Sequence, residues 1–486
     1  MNAERLSAQD AVFLELEDSG TPMHIGAKLV FEGSSLRDET GALDIGRLRA
    51  HLLARLHRFP KTRQRVFRLP LLGRAVWVDD EHFRLERHVR HVVLLPQAGP
   101  GGLSELEADF FSRRLDRERP LWEILAVDGL PGDRVALLCK FHHAFADGLA
   151  GVEFMALLLA PEPSSQPGNP RRWRAGEPPG LLDLLSDEAS RRIEFARSTA
   201  EAASKALRDP AGALSSARDY ATGLFHTVSD IVSPSSELPI NGRSGPDRTL
   251  QTFRIPLEDI RAIKQVLGGT INELVLSMVA GGLRSFLLGH GTSLDGLSVR
   301  AMMPVSTRSD LDHVTLGNKI AVVVAPLPIA LQTARARHHV VRKGTIALKD
   351  SQQALGTDVV TWLAEWTVPR VMTELLQISL RMRSSNLMVT NIHGPDQILY
   401  LLNAPLLEVY PVAELWSGQG LSVAVFSYAG FLHVGVNSDP NIVPNPESFA
   451  ASLRDEFQEL RKLASSDEPR ATCGRRTGRI RGRKGG

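Results

Sequence analysis

The chain has 486 residues, of which 43% are hydrophobic and 23% charged, and its formal net charge is +2. This is the composition of a globular protein with material for a large core, and the length exceeds one ordinary core, so two domains are expected. The only cysteines, Cys139 in an apolar run and Cys473 in a polar tail, argue against a disulfide framework and for a reducing compartment.

No charged-then-apolar leader opens the chain, and no apolar stretch of about 18 residues reads as a membrane span, so a cytosolic location is expected. Ile45, Leu48, Leu52, Leu53 and Leu56 recur at helical spacing over residues 44–59, and Leu106, Phe110 and Phe111 do so over 103–115. Residues 75–78 read as a strand between them, and Val135, Ala136, Leu137 and Leu138 begin another that leads to Phe141-His142-His143. A helix is expected over 149–160. Residues 161–180 hold six prolines among Ser, Gly and Arg and mark an exposed connector. Residues 181–233 read as helices interrupted at Pro210, which either clasp two halves together or lie on a membrane, packing being the favoured use.

From residue 246 the pattern restarts, with a strand at 250–255, a helix at 257–266 and an apolar helix at 274–288 opened by Asn272. Strands follow at 297–303, 319–324, 387–390, 421–428 and 431–437. The expected organisation is therefore a lobe over 1–160, a connector and helical linker over 161–245, a second lobe over 246–466 and a tail over 467–486, in a mixed α/β (α+β) architecture. The last twelve residues hold six basic groups and no acid, so the rest of the chain is acidic. This tail reads either as a solvated end or as an attraction to anionic lipid headgroups; no nucleic-acid partner is expected, for lack of a folded module or aromatic platform.

The densest chemistry is His142-His143-Ala144-Phe145-Ala146-Asp147-Gly148. A neutral imidazole, with an ordinary pKa of about 6.5, can take a proton from a hydroxyl and return it. Successive strand side chains face opposite sides, so only one histidine of the pair addresses a given cleft. His143 is taken as the base and His142 as an inward-facing support. Asp147 before Gly148 either orients the imidazole or holds a turn, the structural role being favoured. Two bland alternatives stand beside this: a satisfied core histidine, and a metal site of His and Asp at i and i+4, which the Asp-Gly turn and the lack of a third ligand disfavour. No Gly-x-Ser-x-Gly elbow supports a serine nucleophile, Cys139 reads as a buried small hydrophobe, and Gly418-Gln419-Gly420 is no phosphate cradle.

His142-His143-x-x-x-Asp147-Gly148 resembles the signature of the bacterial wax ester synthase/diacylglycerol acyltransferase family. Supporting blocks are Leu6-Ser7-Ala8-Gln9-Asp10-Ala11-Val12-Phe13, Thr21-Pro22-Met23-His24-Ile25-Gly26, Arg119-Pro120-Leu121-Trp122-Glu123, Met303-Pro304-Val305-Ser306-Thr307-Arg308, Gly317-Asn318-Lys319 and Asn391-Ile392-His393-Gly394-Pro395. The likeness runs from about residue 5 to 460. It departs from the family pattern at Asn272-Glu273, where Asn-Asp is usual, and at His393, an extra imidazole. The resemblance implies two chloramphenicol-acetyltransferase-like lobes with the active site in a tunnel between them. It also implies O-acyl transfer from acyl-CoA, a substrate and not a cofactor, to diacylglycerol or a long-chain alcohol, at a membrane or lipid-droplet surface. Asn272 is a candidate oxyanion donor or an ordinary N-cap, and Pro120, Leu121 and Trp122 are candidates for the acyl channel or plain core. The alternatives are another CoA- or carrier-dependent acyltransferase of the condensation-domain type, and a non-enzymatic lipid-surface protein.

Overall fold

The computed structural model describes residues 4–68, 75–99, 101–145, 154–177, part of 180–209, 234–306, 320–348 and 384–466. Its strands in chain order are β1 (Glu4–Arg5), β2 (His24–Glu32), β3 (Gln64–Arg68), β4 (Ala75–Asp79), β5 (Val89–Val93), β6 (Trp122–Leu130) and β7 (Arg134–His142) in the first half. The second half adds β8 (Thr249–Pro256), β9 (Arg300–Ser306), β10 (Ile320–Pro326), β11 (Leu387–His393), β12 (Tyr400–Leu401), β13 (Ala404–Val412), β14 (Leu421–Tyr428) and β15 (Phe431–Ser438). They form two six-stranded mixed sheets, ordered β12-β13-β2-β7-β6-β5 and β10-β9-β11-β14-β15-β8, with a small sheet β1-β4-β3 beside them.

The first sheet is not made by the first half alone. β13, from the far end of the chain, pairs antiparallel with β2 from Leu406 opposite Phe31 to Val412 opposite Gly26. Its insertion carries residues 413–416 across the gap between the sheets.

Strand parity shows why the sheets face each other. Along β14 every residue is buried. Leu421, Val423 and Val425 join the core of the helices Leu257–Leu267, Ile271–Gly289 and Pro446–Ser466, while Ala424, Phe426 and Tyr428 join a core shared with the first sheet. Burying each such valine, leucine or phenylalanine contributes about 1.5–3 kcal/mol, so β14 ties the two layers together. The approach is close: a Cβ on Gly435 of β15 would lie 1.9 Å from the carbonyl oxygen of Pro411 on β13. Glycine is required there.

The helix Ile271–Gly289 is long and apolar enough to cross a membrane, with a mean hydropathy of 1.4 over 18 residues, contrary to the expectation that no such stretch exists. It lies against Pro446–Ser466, and 72% of that window is buried inside the protein. It is opened by Thr270, not Asn272: the Thr270 side chain accepts from the Glu273 backbone N–H, and the Glu273 carboxylate accepts from Thr270 N–H at 2.8 Å, a reciprocal capping box. Residues 154–158 are helical, as expected for the helix after the histidines. The described residues between 183 and 208 are helical and exposed, with Ile193 56% and Leu207 82% accessible. Asp147, Gly148, residues 307–319, residues 210–233 and the basic tail lie outside the described residues.

Candidate active site

Between the two sheets lies a cavity of about 190 Å³, and β7 supplies one wall in period two through Cys139, Phe141 and His143. Leu138, Lys140 and His142 point the other way, so strand parity alone separates the two histidines. The neighbouring strand β2 in the same sheet adds Ile25, Ala27 and Leu29, and from the facing second sheet come Met388, Thr390, Asn391, Ala424 and Phe426. Nearly all of this lining is apolar. Cys139 is 2% exposed, and burial pushes its thiol up to about 12, which removes it as a nucleophile.

The His143 backbone N–H donates to Met23 O at 2.8 Å, just past the end of β7, and its ring stacks on Phe13 with centroids 3.8 Å apart at 15°. Phe13 belongs to the helix Ala8–Leu16, capped by Ser7, so the opening block of the sequence exists to brace this ring. From the other side, Glu414 Oε1 lies 3.7 Å from His143 Nε2 and accepts from Trp416 Nε1 at 3.1 Å. Glu414 is 4% exposed and sits on the cavity wall, delivered there by β13. Sequence reasoning missed it, because β13 was not read as a strand and its partner lies nearly 400 residues away.

His142 is wholly buried and pairs directly across the ladder with His24. Its Nδ1 accepts from Ala144 N–H at 3.0 Å, which places the proton of the neutral ring on Nε2, 3.6 Å from Glu17 Oε1. His24 Nε2 accepts from Leu115 N–H at 3.2 Å and lies 3.3 Å from the same Glu17 oxygen. Arg117 donates to Glu17 Oε2 from Nε at 3.0 Å and Nη2 at 2.7 Å. Burial raises the Glu17 carboxyl, but His142 and His24 outweigh it and hold the group well below the usual carboxylate range. Burial is also the main cause that lowers both histidines, His24 to about 4, with Glu17 opposing, so both rings are neutral near pH 7. The Thr21-Pro22-Met23-His24 block and the double histidine thus meet on one buried carboxylate.

Asn272 is exposed and is absent from the cavity lining; its Oδ1 accepts a short hydrogen bond from Asn391 Nδ2, and Asn391 does line the cavity. The longer carboxylate at position 273 is accommodated: besides closing the capping box it accepts from Thr345 Oγ1 at 2.8 Å. Pro120, Leu121 and Trp122 are not on the cavity wall. Trp122 donates from Nε1 to Thr62 O at 2.9 Å and stands behind Phe154, centroids 5.5 Å apart, so it backs the wall. His393 is at the cavity rim, bonded through Nδ1 to Ser427 Oγ at 3.0 Å. Among the described residues no group of three His, Cys, Asp or Glu side chains is placed to hold a metal ion.

Residues 6–275 match the wax ester synthase/diacylglycerol acyltransferase catalytic domain, and residues 316–461 match the C-terminal domain of the same proteins. A protein of Mycobacterium tuberculosis strain CDC 1551 / Oshkosh named as a diacylglycerol O-acyltransferase is 29% identical over 476 residues, covering 96% of this chain and 91% of its own length. The O-acyltransferase WSD of Acinetobacter baylyi is 26% identical, covering 94% of this chain and 97% of its own. In fold the chain is similar to the wax ester synthase/diacylglycerol acyltransferase of Marinobacter aquaeolei, with a TM-score of 0.68, 23% identity and coverage of 95% and 100%. It is more distantly similar to the starter condensation domain of rhizomide synthetase, with a TM-score of 0.60, 14% identity and coverage of 95% and 94%. With its catalytic-domain match extending over more than half the chain, this protein belongs to the wax ester synthase/diacylglycerol acyltransferase family.

Proposed function

We propose that the protein moves a long-chain fatty acyl group from acyl-CoA to the hydroxyl of diacylglycerol or of a long-chain alcohol, with His143 as the base. The observation that carries this reading is a braced imidazole on the wall of an apolar cavity between two sheets. His143 Nε2 takes the proton of the acceptor hydroxyl as its oxygen attacks the thioester carbonyl carbon. The carbon–sulfur bond then breaks, and the same nitrogen returns the proton to the departing CoA thiolate. No covalent acyl-protein is formed in this scheme.

Glu414, 3.7 Å from Nε2, supplies a counter-charge for the transient imidazolium. Charge on the carbonyl oxygen needs a donor, and the Asn391 amide on the cavity wall fits that role, with Asn272 fixing its orientation. One such donor is worth about 3 kcal/mol in the transition state. His142 and the Glu17 cluster fix the end of β7, and Asp147 with Gly148 is assigned the turn that follows. Trp122 shapes the acyl wall through Phe154. Because the diacylglycerol or long-chain alcohol acceptor is water-insoluble while acyl-CoA is not, we place the protein in the cytoplasm, in peripheral contact with the inner membrane face or lipid droplets. No cofactor takes part in this scheme.

The test is product analysis by thin-layer chromatography after the purified chain is given labelled palmitoyl-CoA with diacylglycerol, hexadecanol and an aminoacyl carrier in competition. Labelled triacylglycerol or wax ester supports the reading. Label only on the carrier-bound amine, or none in any acceptor, overturns it.

A further inference from the structure

Away from the cavity, on the outer side of the first lobe, five arginines converge on one pocket. Arg49 and Arg63 come from the helical region before β3, Arg84 from the turn before β5, and Arg171 and Arg172 from the connector, around a volume of about 650 Å³. Phe83 and Trp173 supply flat apolar walls, and Glu86 is the one acid in the lining. A ring of like charges is ordinary on a surface, but Arg63 is not on the surface: it is 4% exposed.

Its guanidinium lies 5.0 Å from the centre of the Trp173 ring, and Nε is buried without a hydrogen-bond partner. Among the described residues the Arg63 side chain makes no hydrogen bond and no ion pair. Asp79, whose charge acts on Arg63, gives Oδ1 to Gln64 at 3.2 Å and Oδ2 to Gly176 N–H at 2.9 Å. Only Nε is sealed off, so the two Nη groups reach the pocket, and a guanidinium this deep with no protein acceptor among the described residues is costly unless something outside the chain supplies one. Arg49 spends two of its donors on Val89 O and keeps the rest toward the pocket.

We infer that this pocket binds a phosphate-bearing anion, with Arg63 as its buried anchor. The planar fork of arginine matches phosphate oxygens two at a time, and several guanidinium groups against a single carboxylate call for more than one negative charge. The volume admits a diphosphate or nucleotide-sized group and far exceeds a chloride, and the two aromatic faces accept a flat or apolar body. A row of stacked rings, Phe83 on His88 at 5.2 Å and His88 on Trp122 at 4.8 Å, separates the pocket from the acyl cavity. The site therefore stands whether or not the acyl-transfer reading holds.

The test is calorimetric titration of the full chain with inorganic pyrophosphate in phosphate-free buffer, for wild type, Arg63→Met and the surface double variant R171E/R172E. Wild type should bind, and both variants should weaken binding at least tenfold. The basic tail is common to all three proteins, so it cancels in this comparison. Arg63→Met should also melt no lower than wild type without anion, because it removes an unpaired buried charge. Absence of binding by wild type, or unchanged binding by an Arg63→Met protein that melts lower, overturns the inference by making Arg63 a merely structural residue. Two further arms identify the source of the phosphate. Tighter, Arg63-dependent binding of 3′,5′-adenosine bisphosphate supports the nucleotide end of a CoA-type substrate, and Arg63-dependent sedimentation with phosphatidylglycerol but not phosphatidylcholine vesicles supports a lipid headgroup.

Discussion

Glu17 and Glu414 sit on opposite sides of the same pair of histidines and are held in opposite ways. Behind the pair, Glu17 receives Arg117 on one oxygen and the backbone of Met23 at 3.3 Å with the Nε2–H edge of His142 on the other, so both of its oxygens are engaged. In front, Glu414 accepts one hydrogen bond among the described residues and faces an apolar cavity. A saturated buried network fixes geometry, whereas an under-bonded group in a cavity keeps capacity for a transient charge. The region behind His143 is built for rigidity and the region before it for chemistry.

The sharpest way to break that comparison is at the ring between the two regions. His143→Ala should lower acyl transfer by about a thousandfold while the protein still unfolds cooperatively, as checked by turnover and a melting curve on the same preparation. On the rear side, Glu17→Ala takes the carboxylate away from the half-buried Arg117, which keeps Leu14 O, and from the buried Met23 N–H and His142 edge, and should cost roughly 1–3 kcal/mol of stability, read from the urea midpoint; no measurable loss would mean the cluster is not what fixes β7.

A third experiment uses pH. Burial holds the folded pKa of His24 and of His433, ringed by Tyr410, Tyr428 and Phe431, at about 4 against an ordinary 6.5. Between those values the unfolded chain binds protons that the folded chain refuses. Stability is therefore full above pH 6.5 and falls as pH drops toward 4, by up to roughly 3 kcal/mol per group. His433→Phe, which keeps an aromatic ring and removes the titration, should flatten part of that fall in melting temperature, and an unchanged pH slope would contradict the assignment. The smallest effect is expected in front: Glu414→Leu should slow turnover about tenfold, near 1.4 kcal/mol in the barrier, with little loss of stability, because one hydrogen bond among the described residues is given up.

What the sequence disclosed follows the range of the interactions involved. β14 was legible as a largely apolar run and β15 by the alternation of Leu432, Val434 and Val436, with a turn between them, and the parity of 142 and 143 followed from strand geometry. The entry of β13 into the first sheet was not legible, since no local period encodes a pairing across nearly 400 residues. Glu414 was lost with it. Thr270 was a legible signal that went unread: Thr270-Ile271-Asn272-Glu273 has capping-box spacing, which sets the helix start two residues before Asn272. The apolar helix Ile271–Gly289 shows the converse, since composition alone does not distinguish a buried core helix from a membrane span. Phe13 and His24 stood inside recognised blocks, yet only the fold brings them to His143 and Glu17.

Direct transfer through His143 is tested most closely by quenching the enzyme with labelled palmitoyl-CoA in the absence of any acceptor. The protein should carry no label, and CoA should be released only when alcohol or diacylglycerol is added. A stoichiometric burst of CoA with one acyl group bound per chain would contradict the mechanism and put a covalent acyl group on one of the cavity's side chains.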